Sequence, residues 1–262
     1  MSVTRLTPGS RETVDPRSPD GRASIEEWYR PPRTPWLRLN LIASVDGSAV
    51  GADGTSDTLS NPDDRAILGV LRSLADVVLI GAQTLRAEGY LLPRRSRLAV
   101  LTRSGDLSGA EGPPDSDADS DGVESDSAES VRPTVIVLGP ASAEDRARAT
   151  LTAADIDFIP LDTAPDGAPA AAVRALRERG HASIVCEGGP SLAGQLIAAD
   201  LVDEICLSTA PTIAATGLSV LGGAGATARR LELTQLLLDE ASTTYARWSL
   251  SRDGAEASSA TR

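Results

Sequence analysis

The sequence predicts an α/β protein: a predominantly parallel central sheet with helices on both faces and antiparallel C-terminal strands. Three observations lead there. Short apolar runs bounded by turn signals, such as Asp76-Val77-Val78-Leu79-Ile80-Gly81, read as strands buried on both faces. Segments with apolar residues at helical spacing separate several of these runs, the rhythm of a sheet wound with helices. The last two runs follow each other with no helix between them, as an antiparallel pair does.

Residues 1 to 23 mix Pro, Arg, Ser, Asp and Gly without period and read as a flexible arm. Ser24 to Tyr29 hold a Trp and a Tyr and read as a short helix or a docking segment, the latter with bounds 24–35. Ordered structure is expected from Trp36-Leu37-Arg38-Leu39-Asn40-Leu41-Ile42-Ala43, whose alternation gives a strand. Asn61-Pro62-Asp63-Asp64 is a helix start: Asn as N-cap, Pro in the first turn, acids beside the free N–H groups. Ile67, Leu68, Leu71 and Leu74 follow at helical spacing. Further strands are expected at 76–81, 97–102, 133–138, 182–186 and 204–208. Helices are expected at about 170–179 and 190–199. Leu231 to Leu238 and Thr243 to Leu250 form the terminal pair. The folded domain is expected over 36–250, with 251–262 as a tail.

The chain has 262 residues and a formal net charge of −12. Much of that charge is local. Nine acidic residues and no basic ones fall between Ser104 and Val131, and the rest of the chain is close to neutral. The stretch 104–132 therefore reads as a solvated, disordered insertion, and nothing basic supports a nucleic-acid surface. All 25 basic residues are Arg, which excludes a Schiff-base lysine. Two cysteines, Cys186 and Cys206, and the single histidine, His181, exclude a disulfide framework and a His-based zinc site. No apolar run is long enough to span a bilayer and no signal peptide is evident, so a cytoplasmic protein is expected.

In a parallel sheet, ligands bind at the C-terminal ends of the strands. Cys186-Glu187-Gly188-Gly189-Pro190-Ser191-Leu192-Ala193-Gly194 runs from a strand into a Pro-initiated helix through two glycines. That turn lets backbone approach a ligand closely and leaves N–H groups for an anion such as a pyrophosphate. A turn needing glycine for backbone reasons alone has the same sequence. Ile80-Gly81-Ala82-Gln83-Thr84 is a second strand-to-helix turn of this kind, and two such turns suggest a dinucleotide across neighbouring strand ends. Gly223 to Ala228 matches a dinucleotide-binding expression but lacks the following strand–helix–strand unit, so it reads as a loop. Ala43-Ser44-Val45-Asp46-Gly47-Ser48 breaks the first strand into a polar loop, with Asp-Gly as the turn signal.

Four stretches taken together resemble the reductase domain of the riboflavin-biosynthesis bifunctional deaminase-reductase. They are Leu39 to Gly47, Ser60 to Arg65, Leu71 to Thr84, and Glu187-Gly188-Gly189-Pro190, and the resemblance extends over about Trp36 to Leu250. It implies a dihydrofolate-reductase-like fold and NADPH-dependent reduction of the ribosyl C1 of a ribosylaminopyrimidine phosphate. The deaminase elements H-x-E and P-C-x-x-C have no counterpart, so a stand-alone pyrimidine reductase-like protein is expected.

By the same resemblance, Ala43, Thr58, Gly81, Thr84 and Glu88 contact the cofactor, with Ala43, Thr58 and Thr84 on its nicotinamide half. The turn Gly188, Gly189, Pro190, Ser191, Leu192, Ala193, Gly194 holds the pyrophosphate. Thr102 and Arg103 sit where the family binds the adenosine 2′-phosphate. Substrate contacts fall on Ser56, Arg72, Leu92, Arg95 and Glu187. Glu187 is expected to orient the ribose or relay a proton, and Asp46 to organise its loop or touch the reactants. No metal is implied, and a homodimer through the C-terminal strands is expected. Two departures bear on the substrate. Ser48 stands where the riboflavin enzymes usually carry a Lys, and Arg86-Ala87-Glu88-Gly89-Tyr90 replaces their D-D-P segment. A dihydrofolate or pteridine reductase, or an NADP(H)-binding protein without turnover, are the alternatives.

Overall fold

The computed structural model describes residues 2–9, 11–89, 97–109, 133–162, 167–222 and 228–250. Within them one sheet carries the fold, in the strand order β2-β1-β10-β11-β9-β3-β8-β4-β5-β6-β7. The strands are β1 (Val3–Thr7), β2 (Glu12–Val14), β3 (Trp36–Ser44), β4 (Val77–Gly81), β5 (Arg97–Leu101), β6 (Thr134–Gly139), β7 (Asp155–Pro160), β8 (Ser183–Gly188), β9 (Glu204–Ala210), β10 (Leu231–Asp239) and β11 (Thr244–Leu250). From β9 through β3 to β7 every neighbouring pair is parallel. From β9 through β11 to β2 every pair is antiparallel.

Among the described residues six α-helices cover the sheet: α1 (Pro19–Tyr29), α2 (Pro62–Ser73), α3 (Ala82–Glu88), α4 (Glu144–Thr150), α5 (Gly167–Glu178) and α6 (Pro190–Ala198). Strand alternation sorts them between two faces. Leu37 and Leu39 of β3, Val77 and Leu79 of β4, and Cys186 of β8 pack with α5 and α6. Val78 and Ile80 of β4 pack instead with Leu85 of α3 and Ala147 of α4. Cys206 of β9 and Tyr245 of β11 meet α1 and α2. The start of α2 follows its sequence: Asn61 Oδ1 accepts from the N–H of Asp63 and of Asp64, both at 2.9 Å.

The N-terminal residues correct the expectation of a flexible arm. Residues 3–7 pair with β10 and residues 12–14 pair with them in turn, while α1 begins at Pro19, capped by Ser18, whose Oγ accepts the Gly21 N–H at 3.0 Å. Of the expected docking segment, residues 24–29 are the second half of this helix, and residues 30–35 lead from it into β3. Its end is held by a buried charge cluster. Arg38 of β3 and Arg247 of β11 both bind Glu204 of β9; Arg38 also donates to the Tyr29 carbonyl at 2.6 Å, and Arg247 to the Trp28 carbonyl. Two cations face one carboxylate, and the carbonyl end of α1 supplies further negative character. Arg247 also stands over the Tyr29 ring, 5.0 Å from its centre.

The expected insertion also begins later than composition indicates. Leu107 is fully buried with α3 and α4, because an apolar side chain next to two helices gains by burial whatever its polar neighbours do. Arg86 donates to the Asp106 carbonyl at 2.6 Å, and Arg146 binds its carboxylate at 2.8 Å. The remainder of the insertion and the tail lie outside the described residues. The C-terminal strands pair antiparallel as expected, and β1 occupies the outer edge of β10 along Leu236–Asp239.

Candidate functional site

The site follows from the winding. Strands β3 and β8 are parallel neighbours, yet the helix after β3, α2, packs on one face and the helix after β8, α6, on the other. Where helices leave adjacent strands in opposite directions, a crevice opens at the strand ends. Here it is a cleft of about 940 Å³ floored by β3, β8 and β9 and walled by α2, the 49–60 loop and the end of α3.

The β8–α6 turn forms one wall. Gly188 has φ +99°, a conformation open to glycine. At Gly189 a Cβ would stand 2.7 Å from Thr84 Oγ1, so only glycine lets the two turns meet so closely. A Cβ on Gly81 would lie 3.9 Å from both the Gly188 oxygen and the Gly189 nitrogen. The two glycine-led turns are therefore contiguous. No side chain caps α6, whose N-cap is Gly189 and whose first residue is Pro190. Its next N–H groups belong to Ser191 and Leu192, and they give the turn the character of an anion cradle. The side chain of Leu192 and residues Ala193 and Gly194 are buried under the helix, so what this end of the turn offers a ligand is backbone.

Glu187, at the end of β8, meets Arg72 of α2 as a fork: Nε to Oε1 and Nη2 to Oε2, both 2.7 Å. The Arg72 side chain is a quarter exposed and that of Glu187 nearly buried. Both line the cleft, so Arg72 is part of its wall. Ser56 and Glu88, expected on substrate and cofactor respectively, are also joined. Glu88 accepts from the Ser56 N–H at 3.1 Å and its Oγ at 3.2 Å, closing the 49–60 loop onto α3.

Other expected residues are placed at the margin. Thr58 Oγ1 donates to Asp53 at 3.0 Å and packs against Gly51, where its position leaves no room for a Cβ. It braces the loop from outside the cleft lining. Ala43 is buried on β3 just before the loop that holds Asp46. Asp46 accepts from Ser44 Oγ at 2.6 Å and from the N–H groups of Ala214 and Ala215 at 3.0 and 2.9 Å. Those bonds hold its carboxyl down at about 2. Asp46 thus organises a loop. Ser48 is drawn into the same knot, donating to Asp46 at 3.4 Å and accepting the Thr216 N–H at 3.3 Å. Thr102 is buried and its Oγ1 accepts the Gly105 N–H at 3.0 Å, whereas Arg103 is exposed beyond the end of β5. Leu92, Arg95 and Tyr90 lie outside the described residues, as does the 223–227 part of the Gly223–Ala228 loop.

The sequence reading missed one part of the cleft. Asp64 of α2 lies at its floor, where Oδ1 accepts from Ser208 Oγ of β9 and Oδ2 from Ser60 Oγ, both at 2.7 Å. Burial raises its pKa above the ordinary carboxylate value. The signal was present in the helical spacing of Asp64, Leu68 and Arg72. The acidic first turn, which accounts for Asp63 and Asp64 as helix-start residues, masks it.

The cleft thus combines an uncapped helix start, a glycine cradle and a guanidinium–carboxylate pair. Known proteins share the frame around it. The chain is 26% identical over 191 residues to the riboflavin biosynthesis protein RibD of Mycobacterium tuberculosis, a match covering 72% of this chain and 46% of that protein. It spans about half the length of the curated relatives it matches. A solved pyrimidine reductase-like protein from Corynebacterium diphtheriae superposes with a TM-score of 0.62 at 24% identity, covering 84% of this chain and 93% of that one. A diaminohydroxyphosphoribosylaminopyrimidine deaminase/5-amino-6-(5-phosphoribosylamino)uracil reductase from Thermotoga maritima gives 0.60 at 18% identity, over 83% of this chain and 57% of that one. The family model of the RibD C-terminal domain matches residues 35–245, and the chain belongs to that family.

Proposed function

We propose that the chain is an NADPH-dependent reductase that converts the ribosyl group of a phosphoribosylaminopyrimidine to the ribityl form. The observation that carries the reading is the junction of the Gly81 and Gly189 turns beside the Arg72–Glu187 pair, within one cleft. Membership of the RibD C-terminal domain family and the 5-amino-6-(5-phosphoribosylamino)uracil reductase activity named for the Thermotoga protein support the choice of substrate.

The residues fit a dinucleotide. Gly189, with no Cβ, lets the β8–α6 turn sit against Thr84, and the N–H groups of Ser191 and Leu192 suit a pyrophosphate. Exposed Arg103 suits a 2′-phosphate and so a preference for NADPH. The bound dinucleotide supplies the hydride. The protein's contribution is orientation, holding the ribosyl carbon in the cleft at attack distance. Ser56 and Arg72 bind the sugar phosphate, and Glu187, fixed by Arg72, positions the ribose hydroxyls. The ring oxygen released from C1 as hydride arrives there takes a proton, completing an open-chain ribityl group.

The same reading carries a cytoplasmic homodimer acting on a small molecule. Among the described residues no helix is long and apolar enough to cross a membrane, and sedimentation equilibrium tests the dimer. The deciding assay follows loss of reduced-nicotinamide absorbance with the phosphorylated aminouracil and, separately, with dihydrofolate. Turnover of the aminouracil is expected; turnover of dihydrofolate alone, or of neither, overturns the proposal.

A further inference from the structure

Five positions of α2 line the cleft: Asp64, Arg65, Leu68, Gly69 and Arg72. Asp64, Leu68 and Arg72 recur every four residues, so they form one stripe whose ends lie about 12 Å apart along the axis. The ends differ in charge. At one, Arg72 forks onto Glu187 next to the Gly189 turn. At the other stands the Asp64 carboxyl, steadied by Ser208 and Ser60.

Two hydroxyls do not exhaust a carboxylate, which offers roughly four acceptor positions. Each Asp64 oxygen accepts one serine hydroxyl and keeps capacity for another donor, in a cleft that both serines also line. Arg65, the adjacent cation, is directed to Asp57 at 2.7 Å. This end of the cleft therefore suits a ligand edge rich in N–H groups and disfavours a phosphate, which meets a like charge there.

We propose that Asp64 is the specificity-determining contact for the substrate's base, accepting hydrogen bonds from the ring N–H and amino groups of an aminopyrimidine. The inference rests on the reductase reading above and adds a direction to it. The base lies at the start of α2, the phosphate towards Arg72, and the reacting ribosyl carbon between them.

The test is calorimetric titration of the NADPH-saturated protein with two ligands, the ribityl product of the aminouracil and ribose 5-phosphate, which lacks the base. Asp64→Asn is expected to weaken the aminouracil ligand roughly ten- to a hundredfold, the scale of a lost hydrogen bond to a charged group, and to leave ribose 5-phosphate within about twofold. Asp64→Ser, which removes the carboxyl altogether, is expected to do the same. Equal aminouracil binding by wild type and both variants overturns the role of Asp64 and leaves the reductase reading standing. Parallel loss of both ligands, or failure of both variants to fold, makes Asp64 a brace between α2 and β9 and overturns it too. No aminouracil binding by the wild-type protein overturns the reductase reading and this inference with it.

Discussion

Arg72 and Glu187 hold each other in place, and the pair separates structural from functional cost. In Arg72→Ala a nearly buried carboxylate loses its forked partner, and a stability loss of about 1–3 kcal/mol is expected in chemical denaturation. Adding Glu187→Gln removes the charge left behind, so the double variant recovers most of that stability while turnover of the aminouracil stays low. Recovery of turnover along with stability would show that the pair only braces the cleft. The cysteines are simpler. Cys186 and Cys206 are buried on opposite faces of the sheet, and burial pushes both thiols up to about 12. Neither is expected to react with a disulfide reagent in the native protein, and both should react in denaturant. His181, the single histidine, has its pKa lowered from 6.5, first by burial and then by Arg97. The unfolded chain then binds the proton more readily than the folded one. The stability gained by keeping the imidazole neutral is complete above 6.5 and declines as pH falls from there through the lowered value. Its C2 proton should titrate below the usual range in a one-dimensional NMR series.

At the scale of elements, α1 depends on charges that its own sequence does not contain. Glu204→Gln removes the one carboxylate between Arg38 and Arg247, leaving two buried guanidinium groups facing each other, and about 3–5 kcal/mol of destabilisation is expected. Protease resistance of residues 15–35 in native conditions is the more local readout, since α1 should open before the sheet does. The same elements show what was legible in the sequence. Strands β3, β4, β8 and β9 are written as apolar runs, and α2 as Asn61-Pro62-Asp63. Ser18-Pro19-Asp20 follows the same grammar at α1 and was obscured by surrounding Arg, Gly and Pro. Residues 3–7 and 12–14 were not legible, because strands at an antiparallel margin need little apolar surface and draw their stability from a neighbour's backbone, residues 3–7 from β10 and residues 12–14 from residues 3–7. In the cleft, the glycine turns were readable because backbone constraints act locally. The Arg72–Glu187 and Asp64–Ser208 contacts join residues more than a hundred positions apart and depend on the winding of the sheet.

For the whole molecule, the proposed cofactor should act as a fold stabiliser, because its cradle exists only when β4–α3 and β8–α6 are docked together. A hundredfold excess of NADPH over its Kd should add about 2.7 kcal/mol, a rise in Tm of about 5–10 °C for a chain of this size. NADH is expected to give a smaller shift at equal concentration, and equal shifts would remove Arg103 from the account of cofactor choice. The outermost strand of the sheet has a different consequence, for handling. The β1–β2 hairpin is a lid on part of an adhesive margin: without it, the Leu236–Asp239 stretch of β10 would present open peptide backbone to any other chain. Three-residue β2 then ends the sheet with too little length to recruit a partner. Trimming the first fifteen residues is expected to uncover that stretch of β10, and light scattering should then show self-association as the protein is concentrated.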